Sequence, residues 1–304
     1  MKKNKRKKYL VVGGAGFIGS NLTNELIRLK HEVFVLDNLS TGKKENINPN
    51  AKFIKNDIRN LNKIIPYFKN INGVFLLAAL PRVQYSIDFP VKTNINNING
   101  VLNVLIASEK AGVKRIVYSS SSAVYGEPKK LPTREDSNIS PLSPYALQKY
   151  VGEEYCRLFS IIHNIETVSL RYFNVYGPGM DNKGAYALVL SIFLKQKAEN
   201  QPLTITGDGT QTRDFAHVSD VVKANILAMN SKKVGKGEVI NIGAGINYSI
   251  NQLAGMISKR IKYITPRIEP NNTLAENKLA KKLLNWQPKI KLEQGIKELL
   301  KESS

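Results

Sequence analysis

Cysteine is almost missing from this chain. Cys156 is the one thiol in 304 residues. That excludes an intramolecular disulfide and fits a reducing compartment, so a cytoplasmic protein is expected. Histidine numbers three and tryptophan one. No Cys/His spacing of a zinc site is present, and no metal is expected. Long apolar runs are lacking too: none reaches the length of about 18 residues that marks a membrane span. The longest, Ala185 to Leu194, reads as buried helix. The N-terminus meets Gly13 within a few residues, so no signal peptide is evident. Acid is scarce, with 24 Asp+Glu against 45 Lys+Arg and a formal net charge of +21. Such an excess fits a nucleic-acid partner or an anionic small substrate. The basic residues are scattered, however, apart from six among the first eight. With no helix-turn-helix signature or aromatic-basic RNA motif, nucleic acid is not an expected partner.

What remains is a globular composition, 42% hydrophobic and 23% charged, of a length for one large domain or two smaller ones. Residues 1–8 read as a basic arm. Tyr9 to Val12 reads as a short buried strand. Gly13-Gly14-Ala15-Gly16-Phe17-Ile18-Gly19 and a helical pattern through Leu22, Leu26 and Leu29 follow. Strand, glycine turn and helix in this order form the context of a dinucleotide site. The glycines permit a tight turn and close approach to a pyrophosphate, which then faces the helix N-terminus. A second strand, His31 to Leu36, ends at Asp37. An acid there accepts bonds from the adenosine ribose hydroxyls and repels a 2′-phosphate, which favours NAD over NADP. A third strand, Phe53 to Lys55, leads to Asp57-Ile58-Arg59, where an adenine has room. Gly73 to Leu80 reads as a fourth strand whose small end, Leu77-Ala78-Ala79, lets a cofactor lie against the backbone.

Asn94 to Ala111 reads as one amphipathic helix. Lys114 to Tyr118 is a fifth strand delivering Ser119 to Ser122 at its carboxyl end, where open parallel sheets bind ligands. Ser143 and Pro144 suit the N-cap and first position of the next helix. On that helix Tyr145 and Lys149 are four apart and share a face. A neighbouring ammonium favours the phenolate, making Tyr145 a usable base near neutrality. Tyr125 and Lys129 have the same spacing, but Pro128 lies between them and Tyr125 reads as packing. Glu166 to Leu170 is a sixth strand. Arg171 to Pro178 reads as an aromatic-rich turn, 184–199 as a short helix, Gly207-Asp208-Gly209 as a turn, Ser219 to Asn230 as helix and Val239 to Ile242 as strand. Helices near 249–260, 275–284 and 291–301 complete the chain. The alternation argues an α/β, doubly wound parallel sheet of Rossmann type. Residues 9–174 and 216–244 form its dinucleotide-binding domain, and 175–215 with 245–304 form a smaller lobe.

Gly13-x-x-Gly16-x-x-Gly19, Asp37-Asn38, Ser119-Ser120-Ser121, Tyr145-x-x-x-Lys149, Arg171-Tyr172-Phe173-Asn174 and Arg213-Asp214 occur together in one order. In this the chain resembles the extended short-chain dehydrogenases/reductases, and among them the NAD-dependent epimerase/dehydratase group acting on nucleotide-sugars. The likeness is greatest to UDP-hexose 4-epimerases. It leans to the N-acetylglucosamine type through Gly184-Ala185-Tyr186-Ala187. The resemblance implies bound NAD, Ser121 and Tyr145 as catalytic groups, and Lys149 on the nicotinamide ribose. It puts Phe17, Ile18, Asn38, Asp57, Ile58 and Tyr172 beside the cofactor. Asn174 falls at the sugar diphosphate and Arg213 at a phosphate. Leu188, Val189, Thr204 and Thr206 fall at the uridine. A homodimer through helices 94–111 and 145–162 is implied as well.

Three departures bear on function. Leu76 stands where the family often has His. Arg267 and Glu269 only partly match a second phosphate-binding turn. The 4,6-dehydratases carry Asp-Glu after their catalytic Ser/Thr, and the decarboxylases usually keep a Glu; here these positions are Ser122 and Ala123. Neither moves a proton, so redox-neutral C4 epimerisation of a UDP-hexose, plain or N-acetylated, is the expected activity. Another nucleotide-sugar epimerase, dehydratase or decarboxylase of the group is the alternative, and a non-catalytic NAD-binding sensor or scaffold the remote one. Thr273 falls near the family's pocket gate, and a residue that small leaves room for an N-acetyl group.

Overall fold

The computed structural model describes residues 6–180, 188–266 and 271–302. Seven strands form the main sheet: β1 (Lys8–Val12), β2 (Glu32–Asp37), β3 (Lys52–Lys55), β4 (Gly73–Leu76), β5 (Arg115–Ser121), β6 (Glu166–Tyr172) and β9 (Lys236–Ile242). Their order is β3-β2-β1-β4-β5-β6-β9, with every pairing parallel. The order reverses between β1 and β4, the switch point where such sheets open a crevice.

The strands read as unbroken apolar runs because both faces are covered. Tyr9 and Val11 look to one side with Phe75, Val117 and Val168. There they meet α1 (Phe17–Arg28) and α8 (Val218–Asn230). Leu10 and Val12 look to the other, with Val74, Leu76 and Ile116. They meet α5 (Gly100–Lys110) and α6 (Pro144–His163). Period-two alternation thus divides each strand between two cores. Shorter helices α2 (Leu61–Ile64), α3 (Val83–Asp88) and α4 (Pro90–Asn94) lie in the connections. Sheet and crossovers make an α/β doubly wound Rossmann fold with a C-terminal lobe.

The lobe holds α7 (Val189–Ala198), β7 (Leu203–Thr206), β8 (Thr212–Asp214), β10 (Asn247–Ser249), α9 (Ile250–Gly255), β11 (Ile261–Ile264) and α11 (Leu292–Glu302). Its core is separate: Leu190, Phe193, Leu203, Leu253, Leu292 and Ile296. Within 245–304 the chain does not stay there. Helix α10 (Lys278–Leu284) sends Ala280 and Leu284, with Trp286 just after it, into the core of the main sheet. The indole N–H of Trp286 donates to the Asp220 carbonyl at 2.9 Å. The chain therefore passes repeatedly between the two bodies.

Several sequence expectations are corrected. The fourth strand stops at Leu76, because the amides of Leu77 and Ala78 both turn onto the Val12 carbonyl at 2.8 and 2.9 Å. Helix 94–111 is not uniform: Ile95–Asn99 is a π-helical segment between α4 and α5. Arg171 and Tyr172 belong to β6, not to a turn. The strands of the lobe are three or four residues long, too short to show a period.

Candidate active site

Three glycines at the end of β1 are required for different reasons. Gly13 has φ +85, and a Cβ there would lie 2.5 Å from the Ala78 amide nitrogen. A Cβ at Gly19 would lie 2.2 Å from the Gly13 carbonyl oxygen. Both serve the fold. At Gly16 a Cβ would meet only the Gly13 oxygen, at 3.4 Å. The open space over Gly16 lies at the N-terminus of α1, which has no side-chain cap and no acid in its first turn. The leading amides of a helix have no partner within it, and here they form a cradle for an anion. Phe17 and Ile18 begin that helix and pack on the core of the main sheet. This arrangement fits the pyrophosphate of NAD.

Asp37, at the end of β2, accepts the Ala15 amide at 3.0 Å and the Leu39 amide at 2.8 Å. Each bond uses one lone pair of a different oxygen, so the carboxylate retains acceptor capacity for ribose hydroxyls. Burial raises its pKa above the ordinary value, against these two amides. Asn38 donates to Asp57 at 2.8 Å, and Arg59 forks onto the same carboxylate at 2.7 and 2.9 Å. These bonds, Arg59 foremost, hold Asp57 down at about 2. Ile58 is buried against Gly100, and its carbonyl accepts from Asn103 at 2.8 Å. Leu77, Ala78 and Ala79 follow β4 across from Gly13.

Helix α6 is laid down as its sequence directs. The Ser143 hydroxyl accepts the Ala146 amide at 3.2 Å and Pro144 takes the first turn. The Tyr145 amide donates to the Ser86 hydroxyl of α3 at 3.0 Å. The Tyr145 phenol faces the Ser121 hydroxyl at the end of β5, which favours its ionised form. The Lys149 ammonium donates to the Ser119 carbonyl at 2.7 Å. It sits 5.8 Å from the Tyr145 ring centre and 5.1 Å from that of Tyr118. Ser121, Tyr145 and Lys149 are thus brought together at the carboxyl end of the sheet that also carries the glycine loop.

The electrostatics correct the expectation for Tyr145. Burial pushes its phenol up to about 12, outweighing the Ser121 bond and the charge of Arg82, so it is neutral at pH 7. Burial also brings Lys149 down to about 8, with the Glu153 carboxylate opposing. An adjacent lysine is not by itself enough to free the phenolate here. Tyr125, with the matching spacing, is a packing residue: its hydroxyl donates to Asn241 at 2.7 Å within the protein. Tyr172 is buried and its hydroxyl bonds Asn225 at 2.9 Å, so that end of it faces the core.

Asn174, just past β6, donates to the Asp214 carbonyl at 3.1 Å and the Thr273 hydroxyl at 3.3 Å. Arg213 on β8 is nearly buried and donates to the carbonyls of Thr212 and Asn271 at 2.9 and 3.2 Å. Thr204 and Thr206 stand on β7, where Thr204 accepts from Gln196 of α7 at 2.8 Å. Leu188 caps α7 and Val189 begins it. Asn174, Arg213 and Thr273 converge, while the β7 threonines lie on a separate two-stranded sheet with β11. Gly184 to Ala187, Arg267 and Glu269 lie outside the described residues.

Sequence reasoning missed some groups. Glu153, buried under Lys149, was signalled by Tyr145-x-x-x-Lys149-x-x-x-Glu153, three residues on one helix face. Asp214 accepts the amides of Ala244, Gly245 and Ala275, a junction of three distant segments that no local pattern reveals. The π-segment turns Asn97 inward to hold the Leu80 amide at 2.8 Å and Gln148 at 2.8 Å. Among the described residues no helix is long and apolar enough to cross a membrane. No group of three His, Cys, Asp or Glu is placed among them to hold a metal. The assembled groups are suited to moving a proton on and off a hydroxyl beside a dinucleotide.

The profile of the NAD dependent epimerase/dehydratase family matches residues 9–243. A putative UDP-glucose 4-epimerase of Methanocaldococcus jannaschii is 44% identical over 301 residues, with 96% of each chain covered. Among solved structures, the chain is similar to UDP-glucose 4-epimerase from Thermotoga maritima with UDP-glucose. That match has a TM-score of 0.93, 38% identity and 97% of each chain covered. It is also similar to UDP-N-acetylglucosamine 4-epimerase from Methanobrevibacter ruminantium in complex with UDP-N-acetylmuramic acid. There the TM-score is 0.93, with 37% identity and 98% of each chain covered.

Proposed function

The chain belongs to the NAD dependent epimerase/dehydratase family, and on that footing we propose that it interconverts UDP-hexoses at C4. The observation that carries this reading is the meeting of Ser121, Tyr145 and the Lys149 ammonium at the carboxyl end of the sheet that also delivers the open Gly16 cradle. Gly16, the α1 amides and Asp37 hold the cofactor, with Asn38, Asp57 and Leu77 to Ala79 beside it. NAD held there would supply the acceptor for the C4 hydride and the donor that returns it. Tyr145 takes the C4-hydroxyl proton through Ser121 and returns it to the O4 oxygen once the 4-keto sugar has turned its other face and C4 has been reduced again. Lys149 holds the phenolate by its charge. Asn174 and Arg213 anchor the diphosphate while the sugar turns. The uridine lies towards Leu188, Val189, Thr204 and Thr206.

Ala123, whose amide donates to Ser121 at 3.2 Å, supports epimerisation over water loss or decarboxylation, since it offers no second acid. Thr273 is small and bonded to Asn174, which supports acceptance of plain and N-acetylated sugars alike. A homodimer is supported by apolar side chains left exposed on α4 and α6: Val91 is 72%, Ile161 64% and Ile162 66% exposed.

The test is to incubate the protein with UDP-N-acetylglucosamine, and separately UDP-glucose, without added NAD and to follow the anomeric proton by NMR. The galacto epimers should appear. A 4-keto-6-deoxy product would overturn the reading of Ala123. Tyr145→Phe should lose at least about 100-fold in rate, the usual worth of a general base. A variant that retained a tenth of the activity would remove Tyr145 from that role.

A further inference from the structure

Behind the proposed catalytic pair lies a buried ion pair that the reaction itself does not use. Glu153 and Arg171 are both inaccessible, and the guanidinium forks onto the carboxylate at 2.8 and 2.6 Å. A buried pair of this kind often contributes nothing net to stability, because desolvation offsets the attraction. Its placement points to another use. Three residues of α6, each four apart, meet three consecutive residues of β5. Tyr145 faces the Ser121 side chain, the Lys149 ammonium donates to the Ser119 carbonyl, and Glu153 accepts from the Ser120 hydroxyl. Gly152 permits this contact, since a Cβ there would lie 2.3 Å from the Tyr118 hydroxyl.

We propose that Glu153 is a positioning residue. Through Ser120 it fixes the strand end that carries Ser121, and through its charge it keeps the Lys149 side chain an ammonium. This rests on the catalytic reading of Ser121, Tyr145 and Lys149. The groups facing Lys149 are few. From β5 they are the Ser119 carbonyl and the Tyr118 ring. From α6 they are the Tyr145 ring, Glu153 and the buried Cys156. From β6, Arg171 faces Glu153 rather than the lysine. Among the described residues Glu153 is therefore the one carboxylate acting on a cation that burial would otherwise discharge. Arg171 stacks on Tyr125, 4.6 Å from its ring centre, and orients the carboxylate from the far side.

The experiment reads the lysine directly, so it does not depend on the substrate. Protein labelled with 13C at lysine Cε is titrated by NMR, and Lys149→Met assigns the signal. Lys149 should titrate near 8, apart from solvated lysines near about 10.4. In Glu153→Gln its midpoint should fall by at least about one pH unit. The high-pH loss of epimerase turnover should fall with it. Glu153→Asp should restore much of the difference. Should Glu153→Gln fail to fold with Arg171 unpaired, Glu153→Gln/Arg171→Met removes both charges and should show the same downward shift. Ser120→Ala should leave the lysine midpoint in place and lower kcat about tenfold with KM little changed. A Lys149 midpoint that stays put in a folded variant lacking the Glu153 charge overturns the proposal, whatever the enzyme turns over. Unmoved titrations in all variants with turnover intact would leave Glu153 a packing residue.

Discussion

At Gly16 the protein itself would accept a methyl group, and only a ligand would object. That separates three residues which look alike in the sequence. Gly16→Ala should unfold at nearly the wild-type temperature yet retain at least about tenfold less NAD, measured by unfolding curves and by release of bound nucleotide. Gly13→Ala and Gly19→Ala should fail to fold, because backbone stands within 2.5 and 2.2 Å of the new atom. The motif was legible in the sequence because its glycines obey a local turn geometry. The ionisation of Tyr145 was not. Spacing places a lysine on the same face but says nothing of desolvation, and burial wins by enough to leave the phenol neutral. Proton transfer at neutral pH therefore depends on every positive charge brought near it.

Helix α6 shows what can be read at the scale of an element. Its N-cap serine, its proline at the first position and its apolar stripe all appear in the sequence and all recur in the fold. Ser143→Ala should cost about 1 kcal/mol of stability, seen as a lower midpoint in urea with an unchanged slope. It should also weaken turnover, since Tyr145 sits one residue beyond the first helical position. The segment from Asn94 to Ala111 shows the opposite. Its apolar residues continue through Ile95–Asn99, so the sequence reads as one helix. Yet an extra residue per turn there brings Asn97 round to Leu80 and Gln148. Asparagine side chains make that bargain through hydrogen bonds to distant backbone, which a periodicity does not register. The short strands of the lobe escaped notice for a related reason: β7 and β11 exist because they pair with each other, not because of their own residues.

For the whole molecule, the parallel, doubly wound character of the main sheet was legible because buried strands alternate with helices. The path between the two bodies was not. After β6 the chain enters the lobe, returns with α8 and β9, leaves again for β10 and α9, comes back with α10 and Trp286, and ends in the lobe with α11. Asp214 ties three of these passages at one carboxylate, and burial lifts it to about 6 despite three donated amides. A chain so interlaced should melt in one step. Calorimetry should give a single transition whose measured and van't Hoff enthalpies agree, and two resolved peaks would contradict this. The same interlacing bears on descent. A lobe threaded through its partner cannot be exchanged between relatives as a cassette, so recombination at any one junction would sever both cores. Under the proposed UDP-sugar reading, new preferences must then arise by replacement of single side chains, and those around Asn174 and Thr273 are where such drift would be recorded.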